Sequence, residues 1–303
     1  MAVAREFMPR TKFGERMSRH TSWHVGGPAE VFFSPRDRAD LAAFLKTVPP
    51  ETRVQFIGLG SNLLVRDGGL RGVVIETSGA LERVERLSET TVYCEAGVAC
   101  ARIARQCIKW NLGPAEFLAG IPGTLGGALA MNAGAFGGET WAHVLHVETI
   151  DLRGEEHTRG RDEYEVGYRR VRAPVEGEAF VAAKLRFEHQ PRTSAAAMRA
   201  LLERRKATQP IGEWSCGSVF TNPPGDHAAR LIEASGLKGA SVGGAAVSDK
   251  HANFIINHGT ATASDIERLI EKVQAEVERL QGVRLVPEVR IVGVEASDAE
   301  QAG

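Results

Sequence analysis

Between Gly120 and Gly138 the chain carries seven glycines in 19 residues, interleaved with Ile121, Leu125, Met131 and Phe136. A flexible linker draws on glycine and serine and has no use for such apolar residues. Glycine lets backbone N–H groups come close to an anion or a flat ring. Apolar side chains beside that backbone suit a large flat ligand with a charged tail. The block reads Gly120-Ile121-Pro122-Gly123-Thr124-Leu125-Gly126-Gly127-Ala128, then Ala130-Met131-Asn132-Ala133-Gly134. No Gly-Lys-Ser/Thr follows it, which excludes a P-loop.

A second glycine segment, Gly58-Leu59-Gly60-Ser61-Asn62-Leu63-Leu64, directly follows the strand-like Val54–Ile57. Its backbone amides, with Ser61 and Asn62, could line an anion site. It is not a Rossmann fingerprint, because Leu63 stands where the third glycine belongs. Alone, a tight structural turn explains it as well.

The remaining chain alternates short strands with helices, without the long regular units of a doubly wound sheet. Strands are expected at Val31–Phe33, Val54–Ile57, Gly72–Ile75, Thr90–Cys94, Val147–Leu152, Ala179–Phe187 and Arg284–Val292. Helices are expected from Ser34-Pro35, with Leu41, Phe44 and Leu45 on one face; over Ala101–Trp110, with Ile103, Cys107 and Ile108 inward; over Ser194–Ala207; and over Asp226–Ala234, capped by Asp226 and closed by Gly236. A Ser264/Glu267 capping box opens a last helix with an apolar stripe of Ile266, Leu269, Ile270, Val273, Val277 and Leu280. This is an α+β chain. At roughly 100–200 residues per domain, its 303 residues divide as two small domains, 1–80 and 81–190, and a third, 191–303. Gln190-Pro191-Arg192 is the expected boundary, and the tail from Glu295 reads as frayed.

Hydrophobic residues are 43%, charged residues 25%, and the formal net charge is −1. No general basic field for nucleic acid follows from these values. No apolar run reaches the ~20 residues of a membrane helix, and Met1–Arg19 lacks a signal-peptide core. A cytoplasmic protein is expected. Cys94, Cys100, Cys107 and Cys216 form no Cys-x-x-Cys pair and have no histidines at zinc spacing, so no metal site is expected. The first three read as reduced core residues.

With Thr21-Ser22-Trp23-His24-Val25-Gly26-Gly27-Pro28-Ala29 upstream, the two glycine segments resemble the UDP-N-acetylenolpyruvoylglucosamine reductases. The resemblance covers about residues 18 to 293. It implies the FAD-binding fold of the vanillyl-alcohol-oxidase type, made of the first two domains, with the third binding substrate. It implies that Gly58, Leu59, Gly60, Ser61, Asn62, Leu63, Ile121, Pro122, Gly123, Thr124, Gly127, Ala130, Asn132 and Gly134 hold FAD. NADPH would be the reductant and UDP-N-acetylglucosamine enolpyruvate the substrate.

Three further positions carry the chemistry by the same resemblance. Arg169 follows Tyr168 in a cluster with Arg170 and Arg172 that would otherwise read as a solvated basic turn. Ser218 lies in Ser215-Cys216-Gly217-Ser218-Val219-Phe220-Thr221-Asn222-Pro223, which is no nucleophile elbow. Cys216 as a nucleophile would need a histidine base, and His227 and His251 are linked to it by no motif. Ser218 matches the family's proton-donating serine. Glu288, in Pro287-Glu288-Val289-Arg290, matches the catalytic acid, and a strand here would put Glu288 and Arg290 on one side. Arg205 (with Arg204 the alternative), Asn222, Lys250, His251 and Arg290 match substrate-binding positions, while His24 receives no role. Between Tyr168 and Phe187 the chain is short, and Ala173–Glu178 holds no tyrosine. This resembles the branch that lacks a tyrosine-bearing loop.

The reading has two rivals. A sugar or alcohol oxidase of the same fold commonly attaches FAD through a His or Cys near its glycine loops, and none stands in Gly58–Leu64 or Gly120–Gly138. A non-enzymatic nucleotide-binding module would leave Glu288 and Arg290 unexplained. FAD is therefore expected to be non-covalent, the protein a monomer, and the source bacterial.

Overall fold

The structure, a computed structural model, describes residues 3–190 and 194–296. The boundary expected at 190–192 and the tail beyond 296 run outside those residues. Two compact units form, each assembled from several stretches of chain. The first comprises Met1–Lys12, Val31–Leu59 and Gly72–Arg204; the second comprises Phe13–Glu30, Gly60–Arg71 and Arg205–Gly303. Phe13–Glu30 and Gly60–Arg71, placed by sequence in an N-terminal domain, thus group with the C-terminal stretch.

In the first unit, Val54–Ile57 pairs in parallel with Leu70–Glu76, with Val54 opposite Val73. Helix α1 (Arg38–Leu45) buries Leu41, Phe44 and Leu45. The Phe33 and Phe44 rings stack 3.8 Å apart, and Phe7 meets both edge-on. Pro35 does not open α1. Asp37 is the N-cap, its carboxylate accepting the N–H of Asp40, so the helix begins at Arg38.

A five-stranded antiparallel sheet is also part of this unit, ordered Glu156–Gly160, Val144–Ile150, Ala179–Arg186, Thr91–Glu95, Val84–Arg86. Helix α2 (Cys100–Lys109) buries Cys100, Ile103, Ala104 and Cys107 but leaves Ile108 partly exposed. Helix α3 (Leu125–Met131) buries Leu125, Ala128 and Leu129. These side chains join Val92, Val147, Ala183 and Leu185 in one core. Helix α4 (Ala195–Thr208) follows.

The second unit packs helix α5 (Ala228–Ala234) and helix α6 (Ala263–Gln281) with a three-stranded sheet of Ser241–Val242, Ala245–Val247 and Ile255–Asn257. The α6 stripe is buried at Ile266, Leu269, Ile270, Val273 and Val277, while Leu280 stays exposed. Each such aliphatic side chain contributes roughly 1.5–3 kcal/mol on full burial. Trp23 is fully buried and donates its indole N–H to Ile255 O at 2.8 Å.

Both expected caps in this unit are displaced. The α6 capping box is Thr262 with Asp265, not Ser264 with Glu267. Ser264 N instead donates to Asp67, and Glu267 is taken by a fork from Arg66. At α5, Asp226 turns outward to pair with Arg230, and Asn222 Oδ1 accepts the Ala228 N–H at 3.0 Å. The final strand is also shorter than expected, covering only Arg290–Val292. Before Arg290 the chain changes partner, since Val286 O and Glu288 N bond to Thr221 and Val219 instead of to the strand beside Arg290.

All four cysteines are free and buried. Burial pushes the Cys100 and Cys107 thiols up to about 12, and those of Cys94 and Cys216 well above their ordinary range. A raised thiol pKa leaves the neutral, unreactive form in place at pH 8. A thiol-reactive dye should therefore label none of them in native protein and all four after unfolding. Thr262→Ala removes the α6 cap and should lower unfolding stability by about 1 kcal/mol, measured by urea denaturation.

Candidate active site

The two glycine segments touch. A Cβ on Gly58 would lie 2.2 Å from Thr124 Oγ1, so only glycine lets Thr124 approach the end of strand Val54–Ile57. That strand end is itself fixed by Thr77, whose N–H and hydroxyl both donate to Ile57 O. Thr124 is the N-cap of α3, and the residues on either side of it are pinned at three points. Cys100 N donates to Gly123 O, Leu125 N to Val98 O, and Gly126 N to Ala96 O.

Most glycines of the long block serve packing. A Cβ on Gly120 would strike Ala135 and Phe136, one on Gly138 the Phe117 ring, and one on Gly134 the Gly138 carbonyl. Phe136 and Gly137 turn a hairpin with φ 53° and 83°, the geometry of a type I′ turn. Gly127 is different, because the space beside it is open except for Thr124 Oγ1 at 3.8 Å. Pro122, Gly127 and Ala130 are exposed, Gly123 is half-buried, and Ile121 and Thr124 are buried. The N–H groups of Gly123, Thr124 and Gly127 donate to no acceptor among the described residues. Unclaimed backbone amides beside an open glycine fit the diphosphate of FAD.

Asn132 ends α3 in the left-handed conformation, φ 47° and ψ 53°, which asparagine tolerates better than most residues. It is 2% exposed, and its amide is committed within the protein. Nδ2 donates to Glu139 Oε2 at 3.0 Å and Gly167 O at 3.1 Å, and Oδ1 accepts the Trp141 N–H at 3.1 Å. Gly167 is the last residue of one arm of a hairpin, Glu165–Gly167 paired with Arg170–Arg172. Tyr168 and Arg169 form its turn, and Arg169 has φ 53°. Arg169 Nη1 donates to Asn132 O at 3.3 Å and Nη2 to Gly134 O at 3.0 Å. Its guanidinium lies 5.2 Å from the centre of the exposed Tyr168 ring. The hairpin therefore brings Arg169 onto Asn132 and Gly134 of the glycine block.

In the second unit, Leu63–Val65 pairs in parallel with Arg290–Val292. Asn62 continues this contact: its O accepts the Arg290 N–H at 3.0 Å, and its Nδ2 donates to Glu288 O at 3.1 Å. Glu288 is not on the strand. Its N–H turns to Val219 O at 2.7 Å, Thr221 N donates to Val286 O at 2.9 Å, and Phe220 bridges Pro287. The segments bearing Ser218 and Glu288 thus run antiparallel. Ser218 is half-buried, Glu288 half-buried and Arg290 exposed, so the shared face expected from a strand does not form. Gly60 and Gly217 both have positive φ, but only Gly60 is packed, with a Cβ there falling 1.9 Å from His20 O. Leu59 is exposed and Ser61 half-buried. Cys216 is buried, and its thiol is raised by desolvation first and by the charge of Glu288 second.

The expected substrate residues are dispersed among other tasks. Arg205 is half-buried, which lowers its pKa, and its Nε donates to Gln209 at 2.8 Å. Arg204 is exposed and borders a cavity of about 640 Å³ lined by Phe117, Phe136 and Leu201. Lys250 Nζ donates to Lys206 O at 2.5 Å. His251 packs edge-on against Phe254, its Nδ1 buried without a hydrogen-bond partner among the described residues, and burial lowers its pKa. Asn222 serves the α5 cap with one oxygen. His24 has φ 56° and lies 4.4 Å from the exposed Trp214 ring. Sequence reasoning passed over Asn253, which binds the backbone of Val219 and Phe220. No sequence signal marks it, since its partners lie 33 residues away. Among the described residues, no group of three or more His, Cys, Asp and Glu could hold a metal ion.

Residues 29–160 match the family described as FAD binding domain, and residues 209–292 match UDP-N-acetylenolpyruvoylglucosamine reductase, C-terminal domain. The UDP-N-acetylenolpyruvoylglucosamine reductase of Alkalilimnicola ehrlichii is 58% identical across 97% of this chain and 98% of its own length. That of Methylococcus capsulatus is 57% identical, covering 92% of each. The solved structure of the Thermus caldophilus enzyme aligns with a TM-score of 0.81 at 31% identity, covering 93% of this chain and 98% of that one. The fold is accordingly the α+β, FAD-binding fold of the vanillyl-alcohol-oxidase type with an added C-terminal domain. With near-complete coverage by such relatives, this chain belongs to the UDP-N-acetylenolpyruvoylglucosamine reductase family.

Proposed function

We propose that this chain reduces UDP-N-acetylglucosamine enolpyruvate to UDP-N-acetylmuramate with NADPH, for peptidoglycan synthesis, and that Arg169, Ser218 and Glu288 carry the reaction. FAD, when bound, would supply the hydride chemistry that links NADPH to the terminal vinyl carbon of the enolpyruvyl ether. The residues that would hold its diphosphate are Gly58, Gly123, Thr124 and Gly127, with Leu59, Gly60, Ser61, Asn62, Leu63, Ile121, Pro122, Ala130, Asn132 and Gly134 around them.

Hydride addition leaves an electron pair on the adjacent substrate carbon, delocalised into the carboxylate. Arg169 stabilises that charge, since a guanidinium is always protonated and matches a carboxylate in shape. Its two backbone contacts hold the guanidinium in place before the charge develops. Ser218 then donates a proton to the same carbon, completing the addition of one hydride and one proton across the double bond. A serine hydroxyl is a weak acid, but an enolate is basic enough to take its proton when the resulting alkoxide is stabilised or reprotonated. Glu288 in its acid form supports the enolate or resupplies the proton.

The observation that carries this assignment is the hydrogen bond from Glu288 N to Val219 O, which holds Glu288 in register with the residue after Ser218. Arg205, Asn222, Lys250, His251 and Arg290 remain the proposed contacts for the UDP-sugar. A monomer in the bacterial cytoplasm completes the reading, and no helix among the described residues is long and apolar enough to cross a membrane.

Ser218→Ala should leave bleaching of the flavin by NADPH intact while slowing turnover of the enolpyruvyl substrate by on the order of 10²–10⁴-fold. Stopped-flow absorbance resolves the two half-reactions, and equal loss of both would count against the assignment. Gly58→Val forces a side chain onto Thr124 and should yield protein purified without its yellow colour. Unfolding the wild type should release all its flavin; flavin retained on the chain would favour the oxidase alternative.

A further inference from the structure

We infer that Asn253 is a positioning residue for the protonation step, the side chain that holds Ser218 in register with Glu288. The inference rests on the roles proposed above for those two residues. Asn253 is 4% exposed and lies just before strand Ile255–Asn257. Its Oδ1 accepts the Phe220 N–H at 2.9 Å, and its Nδ2 donates to Phe220 O at 2.8 Å. Its own carbonyl accepts the Val219 N–H at 2.9 Å. A side-chain amide offers one donor side and one acceptor, and here both sides meet the backbone of a single residue, as a neighbouring strand would.

The opposite edge of the same segment faces the residues around Glu288. Val219 O accepts the Glu288 N–H at 2.7 Å, and Thr221 N donates to Val286 O at 2.9 Å. Val219 is thus held by its N–H on the Asn253 side and by its carbonyl on the Glu288 side. On the N-terminal side, no backbone–backbone hydrogen bond among the described residues holds Gly217. Gly217 has φ 83°, and nothing would meet a Cβ there within 4 Å. The position of the Ser218 hydroxyl is therefore set from Val219 and Phe220, whose backbone Asn253 fixes. An apolar residue at 253 could fill the volume but not bind the Phe220 peptide, and the segment would be free to slide along the Glu288 edge.

The test uses the FAD-loaded enzyme and anaerobic stopped flow, following flavin reduction by NADPH and then its reoxidation by the enolpyruvyl substrate. A displacement near 1 Å can cost on the order of 10²-fold in a positioned reaction, and Asn253→Ala should slow the limiting rate of reoxidation by that much. Flavin reduction and the substrate concentration for half-maximal rate should stay at wild-type values. Asn253→Asp keeps the acceptor and loses the donor, so it should fall between, and it carries the test if the alanine variant does not fold. The double variant with Ser218→Ala should be no slower than Ser218→Ala alone, because groups acting as one unit are not additive. Wild-type reoxidation in Asn253→Asp or Asn253→Ala, beside a slow Ser218→Ala, would overturn the inference and leave the role of Ser218 standing. Equal loss in both half-reactions, or an additive double variant, would make Asn253 merely structural and also overturn it. Wild-type reoxidation in Ser218→Ala would instead remove the reading on which it rests.

Discussion

The carbonyl of Val219 accepts two N–H groups, from Glu288 at 2.7 Å and from Val289 at 3.4 Å. Much of the second unit is arranged around that acceptor. Upstream it sets Ser218; downstream it passes to Phe220, a fully buried ring in the core that α6 covers. Across from it, Glu288 is tied through its own carbonyl to Asn62 of the first glycine segment. The Val219 N–H and carbonyl and both Phe220 backbone groups are answered, and leaving one such group buried and unanswered costs about 1–3 kcal/mol. A proposed acid and a proposed proton donor sharing such a ladder cannot drift independently.

Asn132 has the corresponding place in the first unit. One side chain closes α3, receives the Trp141 N–H and reaches Gly167 beside the Arg169 turn. Arg169 then returns two hydrogen bonds to the carbonyls of Asn132 and Gly134. Glycine block and arginine hairpin are therefore one object, although 35 residues separate Asn132 from Gly167. Strain at φ 53° for Arg169 and 47° for Asn132 is retained where surrounding bonds over-determine the conformation, as happens at functional sites.

The sequence was most legible where a side chain is forbidden. Gly58 beside Thr124, and Gly120 beside Phe136, cannot be replaced without displacing backbone or ring, so these glycines stand out in the sequence without any structure. Which glycines pack and which face open space was not legible, because that depends on what lies beyond the missing Cβ. The α6 stripe was readable from its period, since Ile266, Leu269, Ile270, Val273 and Val277 repeat with the turn of a helix. The caps were misplaced for a different reason. Glu267 sits where a capping box could use it, but Arg66, 201 residues away, takes it with two nitrogens. Glu288 and Arg290 read as neighbours on a regular strand, but the Glu288 and Val289 N–H groups both turn to Val219 O while that of Arg290 turns to Asn62 O, which breaks the alternation between them. Roles assigned by resemblance to Arg169, Ser218 and Glu288 were available from the motifs, as was the position of Asn132, whereas the contacts Asn132 makes and the part played by Asn253 were not.

Both supporting side chains are neutral amides, and charge explains why that matters. A buried carboxylate or ammonium could make similar bonds, but it would carry a desolvation cost and a field of its own. In a site meant to build negative charge on an enolate and then discharge it with a proton, a stray anion would oppose the first step and a stray cation would hold back the second. Asn253 fixes the backbone with its dipole alone, and the Asn132 amide, itself neutral, also donates to the Glu139 carboxylate. The glycine segments, too, offer the partial charges of their amides rather than a formal charge.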